Sequence, residues 1–246
     1  MGRADPGIPA IADPTDLPGR RRALGLLLSG GSSLLLGGCG LNRWSGAVGE
    51  ATQPLNERIE ALLQGKGPVP EFRRSQVEPA ALLVNSFNGT PHLPPESYRL
   101  VVNGAVRRPL RLDLAALAAL PQRECVIRHV CVEGWAAIVA WSGPRLADVL
   151  ALAGPSPLGA YLAIRSADQY FGTWDLASAL HPQTLLATHM NGAPLPVANG
   201  APVRLASPIK LGYKQSKWVT GLELMTTLGD RRGTWEDRGY EWFAGL

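Results

Sequence analysis

The sequence predicts a globular domain over residues 81–246 that contains both strands and helices. Of the 246 residues, 46% are apolar and 18% are charged, which is the composition of a packed domain and not of a disordered chain. Apolar runs that alternate or are β-branched predict four strands, at residues 98–102, 125–132, 161–165 and 219–226. Helix start and stop signals predict three short helices, at residues 114–120 after the N-cap Asp113, at 144–154 and at 176–180.

Residues 1–38 are predicted to be an export signal. Arg20, Arg21 and Arg22 precede an apolar run, residues 23–36, that is too short to span a bilayer comfortably. The adjacent arginines favour twin-arginine export, with the ordinary secretory route as the alternative. Residues 36–39 (LGGC) resemble a lipoprotein cleavage box, so Cys39 is the predicted lipid attachment point, and the alternative is a short membrane anchor. Residues 39–80, rich in Gly, Gln, Pro and Glu, are predicted to form a tether to the domain. An extracytoplasmic or periplasmic location follows, with a lipid anchor as the contact with the membrane.

The charge pattern and the cysteine spacing exclude several classes. A net charge of +4 is too small and too scattered to indicate nucleic-acid binding. The sequence contains no zinc-finger spacing, phosphate loop or internal repeat. Cys125 and Cys131 would lie about 20 Å apart in one extended strand, beyond disulfide reach. Both are therefore predicted to be free thiols.

The strand that ends at Cys131 is the first candidate for chemistry. A thiolate at a strand end can bind a transition metal, because sulfur is a soft donor. From position alone, however, a buried cysteine is more often an apolar filler. His129 lies two residues earlier, on the same face of a regular strand, and is either close to such a metal or simply packed.

Residues 185–219 are the second candidate. They are dense in Gly and Pro, which indicates irregular backbone that approaches a ligand closely. Arg204 and three lysines, Lys210, Lys214 and Lys217, lie within fifteen residues of one another. They form either a solvated basic face or an anion site that holds a phosphate.

Both candidate segments resemble one protein family. Residues 128–135 (RHVCVEGW), followed by Trp141-Ser142-Gly143, resemble the metal-ligand segment of the sulfite oxidase family of molybdenum enzymes. Residues 199–205 (NGAPVRL), then 212–214 (GYK) and 217–218 (KW), are similar to the pterin-binding part of that family. The resemblance covers roughly residues 81–242 and is greatest to the periplasmic branch that includes the catalytic subunit of protein-methionine-sulfoxide reductase. It implies a mixed-sheet α+β molybdopterin-binding domain.

The resemblance also implies a cofactor and its contacts. Molybdenum would be held by the paired sulfurs of molybdopterin and by the thiolate of Cys131. The implied pterin contacts are Asn85, Asn88, Gly89, Ser166, Asn199, Arg204, Gln215, Ser216 and Lys217. Ser166 stands where the reductase has Thr, and the Tyr-Glu pair that follows the early Asn in the family is missing. The arginine-rich motif that follows the cysteine in animal and plant sulfite oxidases is also missing, which favours a neutral S-oxide over sulfite.

The function implied is a two-electron oxygen-atom transfer by a monomeric catalytic subunit. The substrate would be an S-oxide or a similar oxo compound, either small or protein-bound. The sequence has no haem-attachment Cys-x-x-Cys-His, so electrons would come from a b-type membrane cytochrome or a soluble cytochrome c. One alternative is a dehydrogenase of sulfite or another oxyanion that donates to cytochrome c. A metal-free lipoprotein that acts as a binding module is the alternative from a different class.

Overall fold

The computed structural model describes residues 67–246 together with Leu55, Ile59, Glu60 and Leu62. The predicted export signal, Cys39 and most of the predicted tether lie outside the described residues. Every structural element below belongs to the unit of residues 56–246. Within the described residues, no helix has the length and apolar character needed to cross a membrane.

Strands outnumber helices in the described part of the chain. The strands are β1 Leu100–Gly104, β2 Leu110–Leu112, β3 Gln122–Val130, β4 Ala136–Pro144, β5 Tyr161–Ser166, β6 Phe171–Asp175, β7 Leu185–Ala187, β8 His189–Met190, β9 Ala193–Pro194, β10 Arg204–Ala206 and β11 Val219–Met225. The α-helices are α1 Leu114–Ala118, α2 Leu146–Ala153 and α3 Leu176–Ala179. Five 3₁₀ turns lie in the same part, at Arg74–Gln76, Pro79–Ala81, Val197–Asn199, Gly212–Lys214 and Glu236–Arg238.

The strands form three sheets. The largest has the order β2-β1-β11-β5-β6, in which β1 runs parallel to β11 and the other neighbours are antiparallel. The second has the order β3-β4-β8-β9 and is antiparallel throughout. The third is the antiparallel pair β10-β7. Mixed sheets with few, short helices confirm the predicted α+β class.

Two apolar clusters hold these sheets in place. The larger one joins the five-stranded sheet to helices α1 and α2, through buried side chains such as Leu100, Leu117 and Leu150. The smaller one surrounds β4 and includes Trp141 and Cys125, both fully buried. Each large apolar side chain buried in this way contributes about 1.5–3 kcal/mol to folding. The strand ends that carry the candidate residues are therefore anchored in rigid packing.

Every predicted strand and helix is present with boundaries shifted by up to three residues, whereas β2, β4 and β6 to β10 were not predicted. Asp113 caps α1 as predicted, because its carboxylate accepts a hydrogen bond from the amide of Ala116 at 2.8 Å. The strand predicted at 125–132 ends at Val130, so Cys131 is the first residue beyond it. Pro144 was predicted to open a helix, but it is the last residue of β4, paired with Gln122, and α2 begins two residues later.

Residues 67–80, the last part of the predicted tether, lie against the four-stranded sheet. The amide of Phe72 donates to the carbonyl of Val126 at 2.9 Å, and the amide of Glu78 donates to that of Ile138 at 2.9 Å. This short segment covers part of the outer face of β3 and β4.

Candidate functional site

A cavity of about 430 Å³ opens where the ends of several elements meet. Its walls come from residues 82–87, the end of β3 with the turn that follows, the turn after β5, residues 199–217 and the C-terminal aromatics Trp235 and Tyr240. Both segments that the sequence singled out reach this cavity. The site is therefore assembled from parts of the chain that are far apart in sequence.

Cys131 begins a tight turn at the cavity wall. Its amide donates to the carbonyl of Trp135 at 2.9 Å, and the amide of Gly134 donates to the Cys131 carbonyl at 3.1 Å. Gly134 has a φ of +88°, which a residue without a side chain adopts at little cost. Cys131 is half-buried and forms no disulfide; Cys125, also unbridged, is fully buried. Both are free thiols, as predicted.

The thiol of Cys131 is not activated by its protein surroundings. Burial raises its pKa above the ordinary value, and the nearby carboxylate of Glu133 acts in the same direction. A thiolate is the form that binds metals, so a metal ion would have to displace this proton. Among the described residues, no group of three His, Cys, Asp or Glu side chains could hold a metal ion together.

Glu133 joins the Cys131 turn to the segment that faces it. Its Oε2 accepts hydrogen bonds from Asn85 Nδ2 at 2.8 Å and from Trp135 Nε1 at 2.9 Å, and it lies 3.7 Å from Cys131 Sγ. These two nitrogen donors lower the pKa of the carboxyl group, so Glu133 is ionised at neutral pH. In the sequence, Glu133 is notable only because it stands where the arginine motif would begin. Its contact with Asn85 was not predicted.

His129 combines the two roles that the sequence left open. It is 5% exposed, its ring stacks on Trp135 with centroids 5.8 Å apart, and it lines the same cavity as Cys131. Its Nδ1 lies 3.2 Å from Oε1 of Gln215, an oxygen that also accepts the amide of Ser207 at 3.2 Å. The Nδ1 atom is therefore the donor. Burial, reinforced by the charge of Arg204, lowers the pKa of His129 to about 3, so the ring is neutral.

Arg204 is a buried cation without an acidic partner among the described residues. It is 4% exposed and donates to the carbonyls of Asn199 at 3.0 Å and Leu205 at 3.1 Å. Its guanidinium lies 4.5 Å from the centre of the Trp141 ring. Burial lowers its pKa to about 9, and the group stays charged at neutral pH. A buried positive charge without an acidic partner is costly, so this position favours an anionic ligand in the cavity.

Lys217 and Ser216 add further donors beside Arg204. The ammonium of Lys217 donates to the carbonyls of Asn85 and, at 2.9 Å, of Ala198, which leaves one of its three N–H bonds for a ligand. Burial and then the charge of Arg204 lower its pKa to about 8, while Asp168 opposes the shift. The buried hydroxyl of Ser216 has no hydrogen-bond partner. Two cations and an unpaired hydroxyl suit a phosphate group.

Lys210 and Lys214 do not face the cavity. Lys210 Nζ lies 3.1 Å from Asp175 Oδ1 and donates to the carbonyl of Phe243 at 2.6 Å. Lys214 forms an ion pair with Glu236 in which both side chains are almost fully buried. These two lysines belong neither to a solvated basic face nor to an anion site, because they are buried and already paired with Asp175 and Glu236.

The structure brings most of the predicted site residues together. Seven of them line the cavity: Asn85, Cys131, Asn199, Arg204, Gln215, Ser216 and Lys217. Asn88 and Gly89 are exposed and lie outside the lining, because they follow Phe87, where this wall of the cavity ends. Ser166 is buried at the end of β5 and also lies outside the lining, while Asp168 and Tyr170 of the following turn line it.

Several aromatic side chains of the lining were missed. Trp242 and Phe243 of the aromatic C-terminal tail are buried. Trp235 and Tyr240 of the same tail line the cavity, with ring centroids 5.3 Å apart. An aromatic residue that packs in the core and one that lines a cavity look the same in the sequence, so only the tertiary structure distinguishes them.

This fold and site define a domain that binds an anionic cofactor beside a half-buried thiol. Residues 87–235 match the family described as the oxidoreductase molybdopterin binding domain, and the chain belongs to this family. Its cofactor is accordingly molybdopterin with molybdenum, as the resemblance implied. The donors around Arg204 and the thiol of Cys131 fit such a group, which carries a phosphate and a metal with affinity for sulfur.

The chain is similar to two curated proteins and to one solved structure. It is 44% identical over 149 residues to a putative protein-methionine-sulfoxide reductase subunit, YedZ1, of Azospira oryzae, covering 61% of this chain and 56% of the relative. It is 34% identical over 149 residues to the protein-methionine-sulfoxide reductase catalytic subunit MsrP of Gluconobacter oxydans, covering 53% and 48%. The crystal structure of the sulfane dehydrogenase SoxCD from Paracoccus pantotrophus shares the fold, with a TM-score of 0.56 and 24% identity over 58% of this chain and 42% of that one. The chain spans about half the length of the curated relatives that it matches.

Proposed function

We propose that this chain is an exported molybdenum oxidoreductase that reduces an S-oxide by two-electron oxygen-atom transfer. One observation carries the proposal: a molybdopterin-family domain places Cys131, buried Arg204 and Lys217 on one cavity. When bound, molybdopterin would supply a molybdenum centre that changes its oxidation state by two electrons and exchanges an oxygen atom with the substrate. The protein would supply binding, orientation and electrostatics.

Seven lining residues have a part in this proposal. Cys131 would be the protein thiolate that binds molybdenum, and Arg204, Lys217 and Ser216 would hold the phosphate of the cofactor. Asn85, Asn199 and Gln215 are within the same lining and would contact the pterin. Asn88, Gly89 and Ser166 remain candidates by resemblance, and they would need a cofactor that reaches beyond this lining.

The charge at the cavity mouth favours a neutral substrate. Glu133 is ionised, lies 3.7 Å from Cys131 Sγ and stands where sulfite oxidases begin their arginine motif. Two negative charges a few ångströms apart repel each other, so sulfite would be disfavoured relative to a neutral S-oxide. The apolar side chains of Leu82, Leu83 and Val84 on the opposite wall suit such a substrate. The reductase names of the two curated relatives agree with this choice.

Export, anchoring and electron supply complete the proposal. Residues 1–38 would direct folded export, and Cys39 would carry the lipid that holds the protein at the outer face of a membrane. Electrons would come from a b-type membrane cytochrome or a soluble cytochrome c. A Cys39→Ala variant should be exported yet found in the soluble fraction, and one that stays with the membrane would contradict the lipid anchor.

Metal analysis and paired assays test the proposed activity. The exported protein should contain about one molybdenum and one pterin per chain, because the proposed ligands of one molybdenum are the two sulfurs of one molybdopterin and the thiolate of Cys131. It should reduce methionine sulfoxide with a reduced dye and fail to oxidise sulfite. Sulfite oxidation alone would favour the dehydrogenase alternative, and a folded protein without metal would favour the binding module.

Cofactor affinity should fall as the pH rises above about 8. In the cofactor-free protein the ammonium of Lys217, which faces Arg204 and Asp168, has a pKa of about 8. A bound phosphate would stabilise its charged form. The contribution of Lys217 to cofactor binding is therefore complete below about pH 8. It falls as the pH rises from about 8 to the higher pKa that Lys217 has in the loaded protein. Pterin fluorescence after dilution of the loaded protein measures the release rate at each pH.

A Lys217→Met variant provides the control for this pH dependence. It should release the cofactor faster at neutral pH and show no further change near pH 8. If the step persists in Lys217→Met, it belongs to another group, such as Lys210, whose pKa burial also lowers to about 8.

A further inference from the structure

The C-terminal segment (residues 235–246) lies against the turn that carries Gly212 and Tyr213 of the cavity wall. The match to the molybdopterin family ends at residue 235, so almost all of this segment follows the matched domain. Two of its own residues, Trp235 and Tyr240, reach the cavity as well. The segment is thus part of the site and is not merely a covering of the core.

Four residues of the Gly212–Lys214 turn and its approach form hydrogen bonds or an ion pair with this segment. The contacts are Lys210 Nζ to the Phe243 carbonyl at 2.6 Å, the Leu211 amide to the Ala244 carbonyl at 3.1 Å, and the Tyr213 hydroxyl to the Glu241 carbonyl. The ion pair between Lys214 and Glu236 is the most buried of these contacts, because its side chains are 0% and 1% exposed. Removing one partner alone would leave the other charge buried and unpaired.

The Gly212–Lys214 turn packs against the end of β3 and against Cys131, the residue that carries the thiol. A Cβ atom built on Gly212 would lie 3.0 Å from His129 Nε2, 3.2 Å from the Val130 carbonyl oxygen and 3.6 Å from Cys131 Cα. The first two distances are shorter than ordinary contacts, so the turn packs too closely against these residues to admit a side chain at position 212. A shift of the turn would therefore move or expose the end of β3.

We propose that Glu236 is a positioning residue for the cofactor site. Its buried ion pair with Lys214 holds the Gly212–Lys214 turn against the Cys131 turn, and so fixes one wall of the cavity around the cofactor. This inference rests on the proposed function, in that it takes the cavity to be the molybdopterin site. Glu236 acts through Lys214 and the turn, since it does not itself line the cavity.

The test is the rate of cofactor release from the loaded full-length protein carrying Glu236→Gln. Removing the carboxylate leaves the ammonium of Lys214 buried without its acid, and the turn must move to hydrate it. We expect release to be about tenfold faster or more, the usual effect of removing an outer partner of a metal site. The electron paramagnetic resonance spectrum of the molybdenum centre should also change.

A matched control lies in the preceding residues. Arg231 forms an ion pair with Asp237 at 3.3 Å, its side chain is 72% exposed, and neither residue lines the cavity. Arg231→Gln removes a salt bridge of the same part of the chain, so it should leave both the release rate and the spectrum unchanged. Wild-type release and an unchanged spectrum in Glu236→Gln would overturn the inference.

The double variant Lys214→Met/Glu236→Leu separates positioning from folding. Replacing a buried ion pair with apolar side chains of similar volume is often neutral or stabilising, so this protein should melt near the wild-type temperature. It should still release the cofactor faster, because it lacks the directional, charge-assisted hydrogen bond by which Glu236 holds Lys214 and the turn. Wild-type release here would overturn the inference alone, even if Glu236→Gln fails to fold. A wild-type protein without molybdopterin would overturn the proposed function and the inference with it.

Discussion

Cys131→Ser should abolish oxygen-atom transfer and leave the chain folded. Serine keeps the size of the side chain and the hydrogen bonds of the turn, which involve backbone atoms of Cys131, Gly134 and Trp135. A hydroxyl group is a far poorer ligand for a soft metal than a thiolate, so the metal would lose the protein ligand that we propose for it. We expect activity at the level of a metal-free blank, and a change of about 1 kcal/mol or less in the free energy of unfolding.

Cys125→Ser is the matched control. Cys125 is fully buried in β3, lies outside the cavity lining and accepts a hydrogen bond from Arg123 at 3.2 Å. The variant should lose some stability and keep the activity of the wild type. Turnover and molybdenum content are measured for both variants. Full metal content with retained activity in Cys131→Ser would contradict its role as the ligand.

Arg204→Gln should weaken cofactor retention by about 10- to 100-fold, because a hydrogen bond to a charged group contributes about 1.5–3 kcal/mol. Arg204 donates hydrogen bonds to the carbonyls of Asn199 and Leu205. Glutamine keeps amide donors for these carbonyls but removes the positive charge. The effect should therefore appear mainly in the loaded protein. Pterin content after gel filtration and the thermal stability of the cofactor-free chain measure the two consequences separately.

Two further substitutions sharpen this prediction. Arg204→Lys keeps the charge but loses the planar fork of donors, so its retention should lie between those of the wild type and the glutamine variant. Arg165→Gln removes an exposed arginine that pairs with Glu223 at 2.9 Å, outside the cavity lining, and should have no effect. If Arg204→Gln retained the cofactor like the wild type, the anion that this charge favours would have to lie elsewhere.

Much of the fold was predictable because its signals are local. The cap at Asp113, the C-terminal Gly154 of α2 and the alternating strands each depend on neighbours within a few residues. The boundary errors have the same origin. Pro144 is a common first residue of a helix, but the long register of β4 with β3 outweighs that preference.

The cofactor site was predictable only in part. Cys131 and Arg204 lie in contiguous segments that resemble the family, so their positions in the sequence identify them. Glu133 depends instead on Asn85, 48 residues away, which donates to its carboxylate at 2.8 Å. No spacing within either segment indicates that contact.

The sequence by itself determined the family, the cofactor and the thiol expected to meet it, because these depend on residue types in contiguous order. The tertiary structure decided which cations face the cavity: Arg204 and Lys217 do, whereas Lys210 and Lys214 turn to Asp175 and Glu236. The physical reason is that a buried charge requires a partner, and that partner comes from whichever part of the chain folding brings near.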